Sequence, residues 1–411
     1  MAAWIAAWPR HRPWLCRQQS PRPLPRQTTI QARQAATVPT TRSTRKLATL
    51  SVVVVTHDHR DVVGPALGAI AGELRDGDEL IVVDNGSADG TPEAVRESAP
   101  RATLVEAGEN LGFAAGSNRG AAISSGELLL FLNPDAVVAA GFRDAIEAPL
   151  AAGRGWAAWQ GLVTADGGRT INSRGGEVHF TGIAWAGGAG EAIAQSKPPT
   201  GERARMASGR EASPKRPSGT AAAGFEPGFV SGACLAIPSR EFDELGGFAE
   251  DFFLYQEDVD LSLRLRLAGG RLGLEAGARV DHEYEFEKGP GKWRRLERNR
   301  WATLIRTYPA GLLGLLLPAL LVTELALVPV SVAGGWFTQK LASWIEVLRW
   351  LPRLRRERAA IQATRRVTPA AFARSLTADL DSSYLGAAGR SRVLRALLRA
   401  YWSGVRALLP G

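Results

Sequence analysis

Short apolar runs alternate with helix-patterned segments between residues 51 and 132. The pattern predicts strands at residues 51–56, 79–83, 102–105 and 128–132, and helices at residues 62–74 and 116–124. Short apolar strands separated by helices are typical of a mostly parallel sheet that is covered on both faces. The sequence therefore predicts an α/β fold, in which ligands bind at the carboxyl ends of the strands.

Outside this region, composition suggests where the ordered parts end. Residues 1–48 contain no Asp or Glu and predict a disordered basic tail, with an organellar transit peptide or residues upstream of the true start codon as alternatives. Residues 187–224 are rich in Gly, Ser, Pro and Arg and predict a mobile insertion. A strand at 229–237 and a helix at 257–268 follow. We therefore expect a catalytic domain at residues 49–309.

The formal charge of +9 is a second constraint on function. The positive excess lies in the tail, at residues 197–216 and after residue 293, beside apolar segments. A basic edge beside apolar sequence indicates anionic membrane lipid as a partner and not nucleic acid. Two cysteines allow neither a disulfide framework nor a cysteine-rich metal site, which fits a cytoplasmic catalytic domain.

A long apolar segment at residues 311–337 has Glu324 as its single charge. Its length suffices to span a bilayer, but Pro318, Pro329 and Glu324 weaken a straight spanning helix. A re-entrant or interfacial hairpin and a buried core helix are the alternatives. Tryptophans and arginines follow at residues 336–358 and are typical of a membrane boundary. We expect residues 310–411 to be a helical membrane-associating region.

Two carboxylates follow directly after predicted strands. Asp84, followed by Asn85, is placed to accept hydrogen bonds from a nucleotide, although both residues also favour turns. Asp135, in the sequence Asn133-Pro134-Asp135, can supply an oxygen ligand to Mg²⁺ or Mn²⁺, although this tripeptide also favours a turn. These positions predict a donor and metal site at the edge of the sheet.

Three carboxylates begin the helix predicted at 257–268, namely Glu257, Asp258 and Asp260. Favourable interaction with the helix dipole explains acidic residues in a first turn. Three are more than capping requires, and crowding with burial raises a carboxylate pKa, which suits a general base. His282 follows the next strand-like stretch and is a further candidate metal ligand, although a lone histidine is usually structural or solvated.

These signals occur in one order along the chain. They comprise residues 51–56, Asp84-Asn85-Gly86-Ser87 with residues 89–91, residues 110–114 with Gly116 and Asn118, Asn133-Pro134-Asp135, residues 231–233, residues 246–248 and residues 255–260. Jointly they resemble glycosyltransferase family 2, and in particular its rhamnosyltransferase and galactofuranosyltransferase branch. The resemblance covers residues 49–309 and implies a GT-A fold.

The resemblance also implies roles for individual residues. Thr56, Asp84 and Asn85 would hold the nucleoside of a nucleotide-diphosphate sugar, and Gly112 and Asn118 would shape the donor pocket. Asp135, with His282, would bind the metal that bridges the diphosphate, and Asp258 would be the catalytic base. Glu257, Gly232 and Ala233 would lie on the acceptor side. Asn133 departs from the family pattern, which has Asp there, and this leaves fewer metal ligands.

The implied reaction is an inverting transfer of a sugar, with rhamnose as the first expectation, to a cell-envelope glycan or lipid-linked acceptor at the cytoplasmic face of the membrane. A non-catalytic GT-A-fold protein that binds nucleotide sugars or acts as a scaffold is the alternative. Sugar-nucleotide synthesis is disfavoured, because residues 56–59 lack the Gly-rich phosphate loop that such enzymes place after the first strand.

Overall fold

A computed structural model describes residues 48–193, 226–282, 291–380 and 391–410. The predicted basic tail lies outside these residues up to residue 47, as does the predicted insertion from residue 194 onwards. The N-terminal half contains β1 (Leu50–Thr56), α1 (Arg60–Glu73), β2 (Glu79–Asp84), α2 (Thr91–Ser98), β3 (Thr103–Glu106), α3 (Gly112–Ala121), β4 (Leu128–Leu132), β5 (Val137–Val138), α4 (Phe142–Ala151), β6 (Trp156–Ala165), β7 (Thr170–Ser173), β8 (Gly176–Val178) and β9 (Ala184–Ala186).

The remaining elements are mainly helical. They are β10 (Cys234–Pro238), α5 (Ser239–Glu244), a 3₁₀ turn (Glu250–Phe252), α6 (Glu257–Leu267), β11 (Arg271–Asp281), α7 (Gly291–Thr307), α8 (Ala310–Ala333), α9 (Phe337–Ala363), α10 (Pro369–Ala373) and α11 (Arg392–Leu408). The strand expected at 229–237 forms only from Cys234 onwards. The residues before Cys234 instead turn towards α6, where the Gly232 amide donates a hydrogen bond to the Asp258 carboxylate.

The central sheet has the strand order β3-β2-β1-β4-β10-β6-β11-β5, with β7 paired to β6. Strands β1 to β4 pair in parallel, because a helix crosses back over the sheet between each strand and the next. β10 runs antiparallel between β4 and β6, and β6 pairs in parallel with β11. The α/β expectation is confirmed, with the parallel half formed by the four predicted strands.

Apolar side chains cover both faces of the sheet. One core contains Val52, Val54 and Val82 with Leu67 of α1, and the other contains Val53, Phe131 and Leu235 with Leu261 of α6. Alternate residues of β1 thus point into different cores, which is why the strand is apolar at consecutive positions. Packing on both faces holds the strands in position, and the polar residues lie at the carboxyl ends of the strands, outside these cores.

A third core joins α6 to the C-terminal helices. Val259 and Leu263 of α6 pack in one cluster with Leu304 of α7, Leu312 of α8 and Trp402 of α11. The packing therefore continues across residue 309, where the sequence suggests a domain boundary. The C-terminal helices are in contact with the helix that carries the predicted base.

Candidate active site

Asp84 ends β2 beside Thr56, which ends β1, because the two strands pair in register. The Thr56 hydroxyl donates to Asp84 Oδ1 at 3.0 Å, and the Ser87 amide donates to Asp84 Oδ2 at 3.0 Å. Both residues are almost completely buried. The contacts hold the carboxylate in one orientation at the carboxyl edge of the sheet, where open α/β sheets bind ligands.

Asn85 and Gly112 are joined by a hydrogen bond from Asn85 Nδ2 to the Gly112 carbonyl oxygen at 2.9 Å. Gly112 has a φ of +79°, and a Cβ there would lie 2.4 Å from the Phe253 carbonyl oxygen. A side chain at this position would therefore collide with the loop that precedes α6. Asn85 and Gly112 therefore determine how closely the loop before α6 approaches the carboxyl edge of the sheet.

Asn118 makes contacts that the sequence does not indicate. Its Nδ2 donates to the Phe248 carbonyl oxygen at 2.9 Å, and its Oδ1 accepts from the Phe248 amide at 2.9 Å. Nδ2 also lies 3.0 Å from Glu250 Oε1. The amide group of Asn118 thus holds the 246–250 segment against α3, and its contact with a donor stays a prediction.

Asp135 and His282 come together from distant parts of the chain. His282 Nε2 lies 3.1 Å from Asp135 Oδ1 and 3.1 Å from Asn133 Nδ2. Burial would raise the pKa of Asp135, but the hydrogen bond and charge of His282 outweigh it and hold that pKa below its ordinary value. The Asp135 carboxylate is therefore ionised at neutral pH.

This pair fits a divalent cation. A carboxylate oxygen and an imidazole nitrogen are both ligands that Mn²⁺ accepts, whereas Mg²⁺ favours oxygen alone. Within the described residues, no group of three or more His, Cys, Asp or Glu side chains converges as a metal site. A cation held by Asp135 and His282 would take further ligands from water or from the phosphates of a bound donor.

Asp258, the second residue of α6, accepts hydrogen bonds from two backbone amides. The Gly232 amide donates to Oδ2 at 3.1 Å, and the Val259 amide donates to Oδ1 at 2.8 Å. Burial raises the pKa of Asp258 to about 6 despite these bonds, which favour the charged form. A carboxylate with this pKa is ionised near neutral pH and is more basic than an ordinary aspartate, as a general base requires.

The two neighbouring acids of α6 differ from Asp258. Asp260 is fully buried and ion-paired with Arg264 Nε at 2.7 Å, so its role is structural. Glu257 is also buried, and burial followed by the charge of Asp258 raises its pKa well above the ordinary value. Among the described residues, Glu257 Oε2 has no hydrogen-bond partner. Asp258 is therefore the acid of this cluster with the most suitable surroundings for a base at neutral pH.

The backbone at Gly232 and Ala233 connects the turn that carries Asp135 to Asp258. The Asn133 amide donates to the Ala233 carbonyl oxygen at 3.2 Å, while the Gly232 amide donates to Asp258. Asn133 is two residues from Asp135 on the same turn. The structure thus brings the β4 end and the start of α6 together through this short segment.

Asn299, on α7, is a buried residue that no motif in the sequence singles out. Its Nδ2 donates to the carbonyl oxygens of Phe252 at 3.0 Å, Leu254 at 3.1 Å and Tyr255 at 2.7 Å. These residues belong to the loop that leads into α6, where Phe253, Tyr255 and Gln256 have φ values of +64°, +73° and +67°. Non-glycine residues rarely adopt such angles, so the loop depends on outside contacts.

Residues 51–175 match the model of the family described as "Glycosyl transferase family 2". The chain is 29% identical over 226 residues to the N-acetylglucosaminyl-diphospho-decaprenol L-rhamnosyltransferase of two Mycobacterium tuberculosis strains, and the alignment covers 51% of this chain and 68% of that protein.

Similar solved structures include GalNAc-T7 with UDP, GalNAc and Mn²⁺, at a TM-score of 0.48 and 16% identity. That similarity covers 64% of this chain, which spans 48% of the GalNAc-T7 chain. The mannosyltransferase PcManGT from Pyrobaculum calidifontis, with GDP-Man and Mn²⁺, has a TM-score of 0.42 and 19% identity, and the coverage is 88% of this chain and 87% of that one.

Proposed function

We propose that this chain, whose residues 51–175 match the glycosyl transferase family 2 model and whose central sheet belongs to an α/β fold, is an inverting, metal-dependent glycosyltransferase of the GT-A type. The observation that carries the proposal is the link between two carboxylate sites. Asp135 with His282 lies at the end of β4, and Asp258 lies across the segment Gly232-Ala233. A single displacement needs a group that receives the departing diphosphate and a base that activates the acceptor.

The proposed binding of the nucleotide-sugar donor is supported by the polar residues at the carboxyl edge of the sheet. Asp84, held by Thr56 and Ser87, is suited to accept hydrogen bonds from the ribose or base of a nucleotide. Asp135 and His282 would hold a divalent cation, which supplies charge neutralisation at the diphosphate when it is bound. We propose Mn²⁺ before Mg²⁺, because one of the two ligands is an imidazole.

The base is Asp258. Its carboxylate takes the proton from an acceptor hydroxyl, whose oxygen attacks the anomeric carbon of the sugar. As the new C–O bond forms, the bond from that carbon to the diphosphate oxygen breaks, and the electron pair leaves with the nucleoside diphosphate. Attack on the face opposite the leaving group inverts the anomeric configuration, so no covalent intermediate on the protein is needed.

The proposed substrates follow from the sequence relative. That protein is named as an L-rhamnosyltransferase acting on N-acetylglucosaminyl-diphospho-decaprenol. We therefore propose dTDP-rhamnose as the first donor to test and a lipid-linked envelope glycan as the acceptor. Such an acceptor places the reaction at a membrane, and we propose the cytoplasmic face, with residues 310–411 as the attachment region and anionic lipid as a partner.

A panel of nucleotide sugars tests the proposal. The purified full-length chain is incubated with each donor and with Mn²⁺ or a chelator, and release of nucleoside diphosphate is measured. We expect one class of donor to be hydrolysed slowly without acceptor and only with the metal. A chain that binds a donor tightly but releases no diphosphate, with or without a lipid-linked acceptor, would instead be a non-catalytic nucleotide-sugar-binding protein.

A further inference from the structure

Helix α8 exposes apolar side chains and turns its one charged side chain inward, the opposite of a helix on the surface of a soluble protein. Its exposed positions carry only Gly, Ala, Pro, Leu and Val, including Leu321 at 63% and Leu325 at 72% exposure. Its single charged residue, Glu324, faces the protein instead. Surface helices normally show the opposite arrangement, with the polar face outside. The exposed face of α8 is therefore built for an apolar environment.

Among the described residues, α8 is the one helix long and apolar enough to cross a membrane. Composition alone would therefore make it a spanning helix. Its packing indicates another arrangement. Leu312, Leu316 and Leu320 are buried at helical spacing and Ser331 is buried near the end, so one side of α8 packs against protein in its first half and again at its end.

Glu324 is the centre of this covered side. Its carboxylate accepts hydrogen bonds from Trp301 Nε1 at 3.1 Å and Trp344 Nε1 at 2.8 Å, and it forms ion pairs with Arg300 and with Lys340, at 2.9 Å for Lys340. Lys340 has no exposed surface. α8 is thus fixed to α7 and α9 by buried charges that need partners from all three helices.

Helix α7 lies beside α8 and carries many charges. Trp293 near its start stacks on Trp336 just after α8, with ring centroids 4.9 Å apart, while Arg300 meets Glu324 further along. Arg294 is about half exposed on the same helix and pairs with Glu346. If α8 crossed a bilayer, α7 would have to enter the hydrocarbon with it, and charged side chains there are costly.

We propose that α8 lies flat in the interface of an anionic bilayer and that the chain enters the membrane from one side only. Ile345 and Leu348 of α9 and Val393 and Leu397 of α11 are further exposed apolar residues of the C-terminal helices, and the proposal assigns them to the same interface. This inference refines the proposed membrane attachment and does not depend on the transferase chemistry.

Charge complementarity favours anionic lipid as the occupant of this face. On α9, exposed arginines follow the apolar part of the helix. On α11, exposed arginines and exposed apolar residues occur in the same helix. The arginines are Arg349, Arg355 and Arg356 on α9, and Arg392 on α11, whereas Arg353 and Arg399 already pair with carboxylates of the chain. A helix with apolar residues on one face and arginines beside them is typical of a segment lying in the headgroup region.

Thiol labelling tests the single-sided entry. Thr338→Cys, just beyond α8, and Ala359→Cys, near the end of α9, are made in the full chain with Cys16→Ser, and Cys234 is left in place because it is buried. We expect a membrane-impermeant maleimide to label both sites in inverted vesicles and neither in intact spheroplasts. Labelling of Thr338→Cys from the spheroplast side alone would overturn the flat arrangement. Detergent-solubilised samples verify that each thiol is reactive.

Vesicle sedimentation tests the occupant. Leu325→Glu places a charge on the apolar face, and Val62→Glu, at a 44% exposed position on α1, is the matched control. We expect Leu325→Glu to weaken binding to vesicles containing phosphatidylglycerol by about tenfold or more, with no change for the control. The Leu325→Glu chain should keep its donor hydrolysis in solution, so a failure here is separable from a failure of the transferase proposal.

The arginine contribution is tested with the pair Arg355→Gln and Arg356→Gln, against the surface pair Arg101→Gln and Arg119→Gln. We expect the first pair to weaken binding by roughly thirtyfold, only with anionic lipid and at low salt.

If the wild-type chain self-associates through this face, Leu325→Glu yields a monomer while vesicle binding is absent in every variant. That result would make a second copy the occupant and overturn the proposal.

Discussion

The hydrogen bonds of Asn299 stabilise the loop before Asp258, the proposed base, and Asn299→Leu removes them while keeping the branched shape of the side chain. The amide meets three backbone carbonyls of residues that lie among left-handed positions. The Phe252 carbonyl also accepts from Arg298 Nη2 at 3.0 Å, so the Leu254 and Tyr255 carbonyls are the two that lose their side-chain donor. Each buried carbonyl left without a donor costs about 1–3 kcal/mol, so the substitution withdraws roughly 2–6 kcal/mol from the ordered loop. Three strained residues store about 1–3 kcal/mol each. Because the two amounts are similar, the loop should relax.

Relaxation of the loop should change the chemistry of Asp258 more than the stability of the chain. Burial raises the pKa of Asp258 to about 6, so water entering beside it returns this pKa towards about 3.9. We expect kcat to fall by roughly 10- to 100-fold and the acidic limb of its pH profile to move below pH 6. Donor affinity should change little, since Asp84 and Thr56 are held by other strands.

The matched control is Gln362→Leu. Gln362 Nε2 also donates to backbone carbonyls, those of Arg306 at 3.3 Å and Thr307 at 2.9 Å, but these lie away from the loop. It should lower the urea midpoint without moving the pH profile. The reasoning is refuted if Asn299→Leu loses stability as the control does while kcat and its acidic limb stay at the wild-type values.

Three other predictions concern the metal, the pH dependence and the stability of the catalytic part. Chelation should abolish transfer and Mn²⁺ should restore it, whereas Asp135→Ala should lose Mn²⁺-dependent donor binding, measured by calorimetry, without unfolding; full activity of this variant in chelator would contradict the metal role. Wild-type kcat should fall with decreasing pH below about pH 6 and approach a tenfold loss per pH unit, because the Asp258 carboxylate becomes protonated. A rate independent of pH from 5 to 7, where this titration predicts roughly a tenfold rise, would argue against Asp258 as the base. Arg143 and Asp78 are ion-paired at 2.7 Å with side chains 2% exposed, so Arg143→Met should lower the free energy of unfolding by about 3–5 kcal/mol, while the exposed Arg240→Met should leave the urea midpoint unchanged.

The parallel half of the sheet could be predicted because its strands are buried on both faces. Each therefore appears in the sequence as a continuous apolar run, and the polar residue that ends the run marks the edge of the sheet. Thr56 with Asp84, and Asp135 with His282, meet as the family resemblance implies. The second pair could not be derived from spacing, since 147 positions separate its members in the chain.

Other features depend on contacts that periodicity does not report. Residues 229–233 are largely apolar and suggest a strand, but the Gly232 amide is used by Asp258 instead of a neighbouring strand. Asn299 lies in an arginine-rich stretch that suggests a solvated helix, although the residue is fully buried. For α8, hydropathy predicts an apolar environment but does not tell whether lipid contacts one face of the helix or surrounds it. The proposal of contact on one face depends on the partners of Glu324, which cover the other face with protein.

The most direct test of the central claim is the turnover of Asp258→Asn, measured together with donor binding and thermal unfolding. Asn keeps the size of the side chain but cannot accept the proton of an acceptor hydroxyl. We predict that transfer slows by roughly 10²- to 10⁴-fold while donor affinity and melting temperature change little. Glu257→Gln and Asp260→Asn are the controls for the neighbouring charges. Near-normal transfer in Asp258→Asn, with a loss of stability of about 0.3–1 kcal/mol, would mean that this carboxylate serves only the helix dipole and would contradict the proposed mechanism.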